Sequence, residues 1–218
     1  CDAVLLDPSA SGQETLEYLE RANLFIVPLD NERWWYRYHH LFGDMLRRHL
    51  QQSTPAILPD LYRRASAWLE AHGLPASALG HALQARDFAE AARIAEDYAL
   101  VMLGQGHLGM LVAWLDALPE SLTQARPWLC VAHAWVTIYA GKVEVTEQWL
   151  ARAETQLREG GRDAGDGESR RIAGHIALIR SQVCGLCNDH ARTTPLSQQA
   201  LELLPPEDVM GRIMAHTQ

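Results

Sequence analysis

The sequence predicts a mainly α-helical protein that carries one β-hairpin close to its start. Apolar residues recur at helical spacing through most of the 218 residues. Strand signals are confined to residues 25–29, where Phe25, Val27 and Leu29 stand at alternate positions, and to the aromatic segment 34–38. From residue 59 onward, alanine-rich segments are separated by glycine, proline, Asn or Asp. This pattern indicates a succession of short helices.

Composition excludes several classes of protein. Hydrophobic residues make up 48% and charged residues 21% of the chain, and no apolar run approaches the ~20 residues of a membrane span. The 19 basic and 27 acidic residues give a net charge of −8, with the basic residues scattered, so we expect no nucleic-acid binding by this chain itself. We expect a globular protein that does not contact a membrane.

The cysteines and the two ends of the sequence bear on its origin. Four cysteines at uneven spacing do not form a disulfide framework, and no secretory signal pattern is present, so we expect a cytoplasmic protein. The sequence begins with Cys1 rather than methionine and ends at Gln218. We therefore expect it to be cut from a longer polypeptide.

The first fifty residues predict a compact helix–hairpin–helix unit. The run from Ser11 to Glu14 is a capping box, which starts a helix. Residues 25–29 and 34–38 form the two strands of a hairpin around the turn at 30–33. The apolar residues of segment 41–50 then recur at helical spacing, which predicts the next helix.

The remainder of the chain predicts consecutive helices. Apolar positions from Ile172 to Leu186 are spaced four, three, four and three residues apart, so we expect one side of that helix to be buried along its length and the other to face solvent or a partner. We expect the helices near residues 59–72, 75–85, 87–103, 107–118, 127–140, 143–158, 169–187, 189–204 and 206–216.

Two of these predicted helix pairs can be superposed. Gly141 aligns with Cys187 and Leu157 with Leu203, an offset of 46 residues, and the segment around Gly73 has a similar pattern. This offset exceeds the 34 residues of a tetratricopeptide repeat. We attribute the excess to the glycine-rich segment 160–167, which we expect to be a mobile insertion.

The segment LGQGHLG at residues 103–109 matches the G-x-G-x-x-G pattern of dinucleotide-binding proteins. That pattern binds a pyrophosphate only where a strand enters the glycines and a helix leaves them. Here an alanine-rich helical segment precedes the glycines. We therefore predict a helix C-cap and a turn, with no dinucleotide bound.

Cys184 and Cys187 form a C-x-x-C pair, and His190 adds a third candidate metal ligand. A structural zinc site normally needs a fourth ligand, and a reactive dithiol normally lies at a helix N-terminus. This pair lies at the C-terminal end of a predicted helix. Helix packing is the favoured interpretation, and an intracellular thiol or metal enzyme is the alternative.

No enzyme motif is present in the sequence. It contains no P-loop, no H-E-x-x-H and no G-x-S-x-G, so we expect a segment that is not itself an enzyme, with no metal site.

Carboxylate pairs such as Glu144 with Glu147, and Asp163 with Asp166, are interpreted as solvated charge. The aromatic residues of segment 34–38 are interpreted as hairpin packing on helices, with a stacking platform as the alternative.

The segments CDAVLL, LEYLERANLFIVPLDNERWWYRYHHLFGDMLRRHL and LYRRASAWLEAHGLPASALGHALQARDFAEAARIAE resemble the middle of the large ATP-dependent, MalT-like regulators of the LuxR family, within the STAND class of ATPases. The resemblance covers the chain well to about Leu157 and more loosely beyond. It implies a mainly α fold: residues 1–52 as the C-terminal part of a winged helix, which contains the hairpin, and residues 53–218 as a tetratricopeptide-like helical superhelix.

The resemblance implies a sensor that couples an inducer to transcription. In the family, an inducer, either a small molecule or a protein, binds the helical array, the ATPase domain opens, ATP binds, and the protein self-associates at a promoter. DNA is bound by a C-terminal helix-turn-helix outside this sequence. ATP or ADP would belong to the full-length protein, with no cofactor in this segment. The alternative is a free-standing tetratricopeptide-like scaffold that binds a protein or peptide.

The resemblance also nominates site residues. Related ATPases carry a Met-His-Asp motif at the start of the last winged-helix helix, whose histidine contacts the ADP β-phosphate. His39 stands at the motif's histidine, while His40 stands where the family has aspartate. In the array, the inner face of stacked helix pairs is the usual ligand surface. The polar candidates there are His133, Thr137, His175 and Gln182.

Overall fold

The computed structural model describes residues 2–5, 9, 11–159 and 167–217. The predicted fold class is confirmed: these residues form α-helices and a single two-stranded antiparallel hairpin. Within the described residues, no helix has the length and apolar character needed to cross a bilayer. The expected glycine-rich insertion, apart from Gly167 at the start of a helix, and Asp163 with Asp166 lie outside the described residues.

The chain divides into two compact units, residues 1–87 and 88–218. The domain boundary predicted between residues 52 and 53 stays a prediction. The first unit contains α1 (Gly12–Arg21), β1 (Ile26–Pro28), β2 (Tyr36–Tyr38), α2 (His40–Ser53), α3 (Leu58–Ala71) and α4 (Pro75–Gln84). The second contains α5 (Phe88–Gly104), α6 (Leu108–Asp116), α7 (Glu120–Ala125), α8 (Pro127–Tyr139), α9 (Val143–Glu159), α10 (Gly167–Leu186), α11 (His190–Leu203) and α12 (Val209–His216).

The hairpin is shorter than the sequence predicts. Its register pairs Ile26 with Tyr38 and Pro28 with Tyr36. Phe25 has φ of 56°, a left-handed conformation that extended strands do not adopt, so β1 cannot begin before Ile26. At the turn, the Asp30 carboxylate accepts a hydrogen bond from the Trp34 backbone N–H at 2.9 Å. Cross-strand backbone hydrogen bonds nevertheless continue past the two strands, from the Leu29 N–H to the Trp35 carbonyl and from the His39 N–H to the Phe25 carbonyl.

A common turn ends many of the helices. A residue with positive φ follows the helix, its N–H donates to the carbonyl three residues back, and the next N–H donates to the carbonyl five residues back. This is the Schellman motif, which pairs carbonyls that the helix leaves free. The positive-φ residues of these turns are Asn23, Gly73, Arg86, Gly106, Gly141 and Asn188. Gly106 confirms the prediction of a C-cap and turn for the LGQGHLG segment.

The turns correct the predicted repeat register. Gly141 is equivalent to Asn188 rather than to Cys187, because Asn188 is the residue with positive φ after α10. The offset between the pairs α8–α9 and α10–α11 is therefore 47 residues rather than 46, as is the offset between the starts of α9 and α11 at Val143 and His190. Asparagine tolerates the left-handed conformation, so an alignment that seeks a glycine or another small residue misses it.

Helix α10 is the centre of the second unit. It packs against α8, α9, α11 and α12, and its buried residues lie on all sides, including Gly174, His175 and Leu178. The prediction that its other side faces solvent or a partner is therefore wrong, because helices of the same unit cover it. Leu186 of the predicted stripe is 60% exposed because α10 ends there. The surrounding core contains Trp135, Leu150, Ile172 and Ile179.

Two smaller differences concern the second unit. Helix α7 was not predicted, since its six residues, Glu120–Ala125, are too short to show helical periodicity. The pair Glu144 and Glu147 was interpreted as solvated charge. Glu147 instead pairs with Arg180 of α10 at 3.3 Å and so contributes to the contact between α9 and α10.

Candidate functional site

The most deeply buried ionic cluster of the described residues lies between α10 and the start of α12. Asp208 is the N-cap of α12, and its Oδ1 accepts a hydrogen bond from the Gly211 N–H at 3.1 Å. Its Oδ2 lies 2.8 Å from His175 Nε2 and 2.9 Å from Arg171 Nε. Arg171 and His175 are one helical turn apart on α10. The cluster therefore fixes α12 to α10.

The Asp208 carboxylate is ionised. Burial alone would raise the pKa of this carboxyl, but the hydrogen bond and charge of His175, with the hydrogen bonds from Arg171 and the Gly211 N–H, hold the pKa well below its usual range. An ionised carboxylate only accepts hydrogen bonds, so His175 Nε2 carries a proton and donates to Asp208. The opposite nitrogen, Nδ1, makes no hydrogen bond to a described residue.

Aromatic rings enclose His175. Trp128 and Trp135 of α8 lie with ring centroids 5.2 Å and 6.1 Å from the imidazole, and Arg171 lies over the Trp128 ring at 5.0 Å. Two polar atoms here are buried and have no hydrogen-bond partner in the part of the chain that the structure describes: Trp135 Nε1 and His175 Nδ1. Both residues line a cavity of about 20 Å³. We call this space the inner cavity.

A larger groove adjoins the inner cavity. It has a volume of about 410 Å³, and we call it the outer groove. Tyr139 of α8 and Met214 of α12 line both spaces. The outer groove is lined by Ile138, Tyr139, Gln182, Gly185, Leu186 and Met214. His175 and Gln182, two of the predicted ligand residues, therefore lie at neighbouring spaces between α8, α10 and α12.

The structure places the other two predicted ligand residues, His133 and Thr137, in the contact between α8 and α9. The His133 ring stacks on Trp149 with centroids 4.2 Å apart. Burial lowers the pKa of His133, so its ring tends to be neutral. Thr137 Oγ1 lies 2.9 Å from Thr146 Oγ1. These residues do not join the group around His175, and their role in ligand binding stays a prediction.

His39 lies at the start of α2, as predicted. It is the N-cap residue, and its side chain makes no capping hydrogen bond. Its backbone N–H donates to the Phe25 carbonyl at 2.7 Å, and its exposed ring lies 4.5 Å from that of His40. The backbone is thus held by the hairpin while the imidazole faces outward. Its role in nucleotide binding stays a prediction.

The C-x-x-C pair is divided between two environments. Cys184 is buried in α10, whereas Cys187 is exposed after the helix ends. Cys130 is a third free thiol, and burial raises its pKa to about 11. Over the described ranges, no group of three or more His, Cys, Asp or Glu side chains is arranged to hold a metal ion.

The aromatic hairpin packs less completely than predicted. Trp35 meets Trp68 of α3 edge to face at 6.2 Å, but Trp34 is 75% exposed. Trp34, Trp35, Tyr36 and Tyr38 line one groove of the first unit together with Trp68. The predicted packing on helices therefore applies to Trp35 and not to Trp34.

Sequence reasoning missed Asp208, Arg171 and Trp135. A signal for Asp208 was present, because Pro205 and Pro206 interrupt the preceding helix and an aspartate then precedes a helical segment, which is typical of an N-cap. Nothing in the local sequence of Arg171 or Trp135 predicts that they meet this carboxylate or this cavity, since they are far from Asp208 along the chain.

Comparison with known proteins gives an independent description. A family model of the MalT winged helix domain matches residues 1–58. The chain is 33% identical over 205 residues to the HTH-type transcriptional regulator MalT of Klebsiella pneumoniae (strain 342), a match that covers 94% of the chain and 22% of that protein. The MalT regulator of Cronobacter sakazakii (strain ATCC BAA-894) is 32% identical over the same coverage. No solved structure matches the chain significantly.

The family-model match and the match to the MalT regulators cover overlapping parts of the chain. The matched domain contains the hairpin and α2, and the match to the regulators extends over nearly all of the helical region. The chain spans about a fifth of the length of these relatives, 22%. The chain is therefore MalT-like, and its first 58 residues resemble the MalT winged helix domain.

Proposed function

We propose that this chain is the winged-helix and signal-sensing segment of an ATP-dependent, MalT-like transcriptional regulator of the LuxR family and the STAND class. In this role it couples inducer binding to the opening of an ATPase domain and so to transcription activation. The observation that carries the proposal is the similarity to MalT regulators over 94% of the chain, together with the winged helix domain at residues 1–58.

The winged helix supplies the nucleotide-responsive part of this proposal. His39 presents an exposed imidazole from a backbone that the hairpin fixes. An imidazole N–H can donate to a phosphate oxygen, and domain movement breaks such a contact. In this role His39 contacts the phosphate of ADP held by the protein's own nucleotide-binding domain and stabilises the closed state. ATP and ADP are ligands of the full-length protein.

The helices from α3 onward supply the sensing part. In this proposal their helix pairs are tetratricopeptide-like repeats, whose stacked pairs form ligand surfaces. The helix pairs α3–α4, α8–α9 and α10–α11 are the most extensively packed. In this proposal an inducer, small molecule or protein, binds these helices, the regulator self-associates in the cytoplasm, and DNA is bound by a helix-turn-helix outside this chain. The chain itself is not an enzyme.

The first test reads the coding DNA on both sides of the segment. The proposal expects a G-x-x-x-x-G-K-[ST] motif upstream and a basic helix-turn-helix downstream. The absence of both would overturn it. That result would favour the alternative, a free-standing tetratricopeptide-like scaffold that binds a protein or peptide.

The second test measures ADP affinity in the full-length protein. We expect His39→Ala to weaken ADP binding about tenfold, because one charge-assisted or polar contact to phosphate is lost. His49→Ala is the matched control, since His49 is also exposed on α2. Equal ADP affinities for both variants and the wild type would remove the role of His39.

A further inference from the structure

We propose that the inner cavity and the outer groove together form a binding site for a small, neutral ligand that carries a hydroxyl group on an apolar body. The hydroxyl occupies the inner cavity, and the apolar body lies in the outer groove. This inference rests on the proposed function in that it gives the sensing helices a ligand class. Its test does not depend on nucleotide binding.

The inner cavity is complementary to a hydroxyl group. The indole Nε1–H of Trp135 is a donor without a partner, and Nδ1 of His175 is the nitrogen left free when Nε2 donates to Asp208. The two side chains are almost completely buried, with residue exposures of 2% and 1%. A hydroxyl oxygen can accept from the N–H of either ring, and the hydroxyl can also donate to an imidazole nitrogen that carries no proton, so it suits Nδ1 in either charge state. Because buried polar atoms without partners are costly, such a ligand gains free energy from both contacts.

The charge distribution selects a neutral ligand. The Asp208 carboxylate lines the inner cavity, but its oxygens are engaged by His175, Arg171 and the Gly211 N–H. The described residues that line the outer groove include no charged side chain. An ion placed here would lose its hydration without a counter-charge, which costs several kcal/mol.

The shape favours an amphipathic ligand over one that is polar throughout. Ile138, Leu186 and Met214 give the outer groove an apolar surface, and Gln182 is its one amide. A volume of about 410 Å³ lies in the range of small-molecule sites. The volume of the inner cavity, about 20 Å³, is enough for one hydroxyl-sized group.

Met214 and Tyr139 separate the two spaces and give the ligand its entry. Both residues line the inner cavity and the outer groove. Methionine has three rotatable bonds and adapts to irregular spaces, so the Met214 side chain can move aside without displacement of α12. The bound ligand would then contact α8, α10 and α12 at once, and α12 is the helix that Asp208 fixes to α10.

The test uses phenol and benzene as probes on the ¹⁵N-labelled chain. Both rings fit the apolar groove, and only phenol carries the hydroxyl. We expect phenol to bind about tenfold more tightly than benzene and to shift the indole N–H signal of Trp135, assigned by its loss in Trp135→Phe. In Trp135→Phe we expect phenol affinity to fall toward that of benzene, because one of the two contacts of the hydroxyl is lost. Trp149→Phe, which changes a tryptophan outside the site, is expected to bind phenol like the wild type.

A second variant keeps the test decisive if Trp135→Phe does not fold. Met214→Phe narrows the passage and is expected to weaken phenol binding at least threefold, whereas Met110→Phe, on the surface of α6, leaves it unchanged. Equal affinities for phenol and benzene, or a phenol-induced shift confined to other residues, would overturn the proposal and leave a further helix or a second copy as the occupant of the outer groove. Loss of ADP binding in full-length His39→Ala with normal phenol binding would separate this site from the nucleotide role.

Discussion

The two units of this chain bury their aromatic residues in different ways. In the unit of residues 88–218, Trp128 and Trp135 lie in the core around α10 and are at most 9% exposed. In the unit of residues 1–87, the hairpin leaves Trp34 and Trp35 substantially exposed. Burial of apolar surface is the main stabilising contribution to folding. The second unit thus has a helical core that buries its tryptophans, whereas the hairpin of the first unit presents an apolar surface.

Polar groups differ between the units in the same way. In the polar cluster of the second unit, Asp208 and His175 are nearly inaccessible to water while Arg171 is partly exposed, and the cluster links two helices. In the first unit, the pairs formed by Arg33 with Glu20 and by Arg47 with Asp44 lie at the surface. Exposed pairs contribute little, whereas the loss of one partner from a buried pair is costly. Substitutions in the two units should therefore differ sharply in effect.

The largest difference in stability between substitutions in the two units should come from the core of the second unit. Leu150→Ala removes a fully buried side chain from the second unit, and we expect it to lower the free energy of unfolding of that unit by about 3 to 5 kcal/mol. Leu41→Ala, at an exposed position on α2, should change the free energy of unfolding of the first unit by less than about 0.5 kcal/mol. Native-state hydrogen exchange of amides in α10 and α2 measures both. Equal losses would show that the α2 face is covered in solution.

The next effect concerns the charge of Asp208. Asp208→Asn keeps a capping side chain but removes the charge that His175 and Arg171 face, and we expect a loss of about 3 kcal/mol at pH 7. The folded-state pKa of Asp208 is lowered. Its contribution is therefore fully present above the unfolded-state pKa of about 4 and is lost as the pH falls toward the folded-state pKa.

Unfolding of wild type and Asp208→Asn by denaturant at several pH values measures this effect. We expect the difference in stability between the two proteins to be constant from pH 7 to about pH 5 and to shrink as the pH falls below about 4. A difference that does not change with pH would mean that the carboxylate acts only as a helix cap.

Glycine substitutions extend the contrast to helix packing. A Cβ added at Gly174 of α10 would lie 2.8 Å from side-chain atoms of Leu204 and 3.2 Å from its backbone nitrogen, so Gly174→Ala should destabilise by about 1 to 2 kcal/mol. Gly80 of α4 has open space at that position, so Gly80→Ala should stabilise by up to about 1 kcal/mol. Thermal unfolding of both variants tests this, and a shift in the same direction for both would contradict the packing described for α10.

The comparison also explains which features of the fold the sequence predicts. Helical periodicity and turn residues are local, so most helix positions and the turn at Gly106 were predicted correctly. The central role of α10 was not, because its buried surface is set by α8, α9, α11 and α12, which contact it from several directions. An apolar stripe in the sequence predicts only one packing face of a helix. The other buried sides of α10 include the small or polar residues Gly174, His175 and Ser181, which hydrophobic periodicity does not detect.

The candidate site shows the same limit. Sequence reasoning selected His175 and Gln182 as polar residues of one predicted helix, and the structure places both at neighbouring spaces. The same reasoning grouped His133 and Thr137 with them, although α9 covers these two residues. Which residues of α8 face α9 and which face α10 depends on helix rotation in the packed core, and that is a tertiary property.

The smallest expected effect belongs to the exposed aromatic surface of the hairpin. Trp34→Ala removes a side chain that is 75% exposed, and we expect it to lower the free energy of unfolding by less than about 0.5 kcal/mol, since little apolar area leaves the protein interior. Trp35→Ala should cost more, because Trp35 contacts Trp68 edge to face. Denaturant unfolding followed by hydrogen exchange in the hairpin measures the difference. A loss above about 1 kcal/mol for Trp34→Ala would mean that this surface is covered in solution, and the contrast between the two units would then reflect a missing partner surface rather than a weaker core.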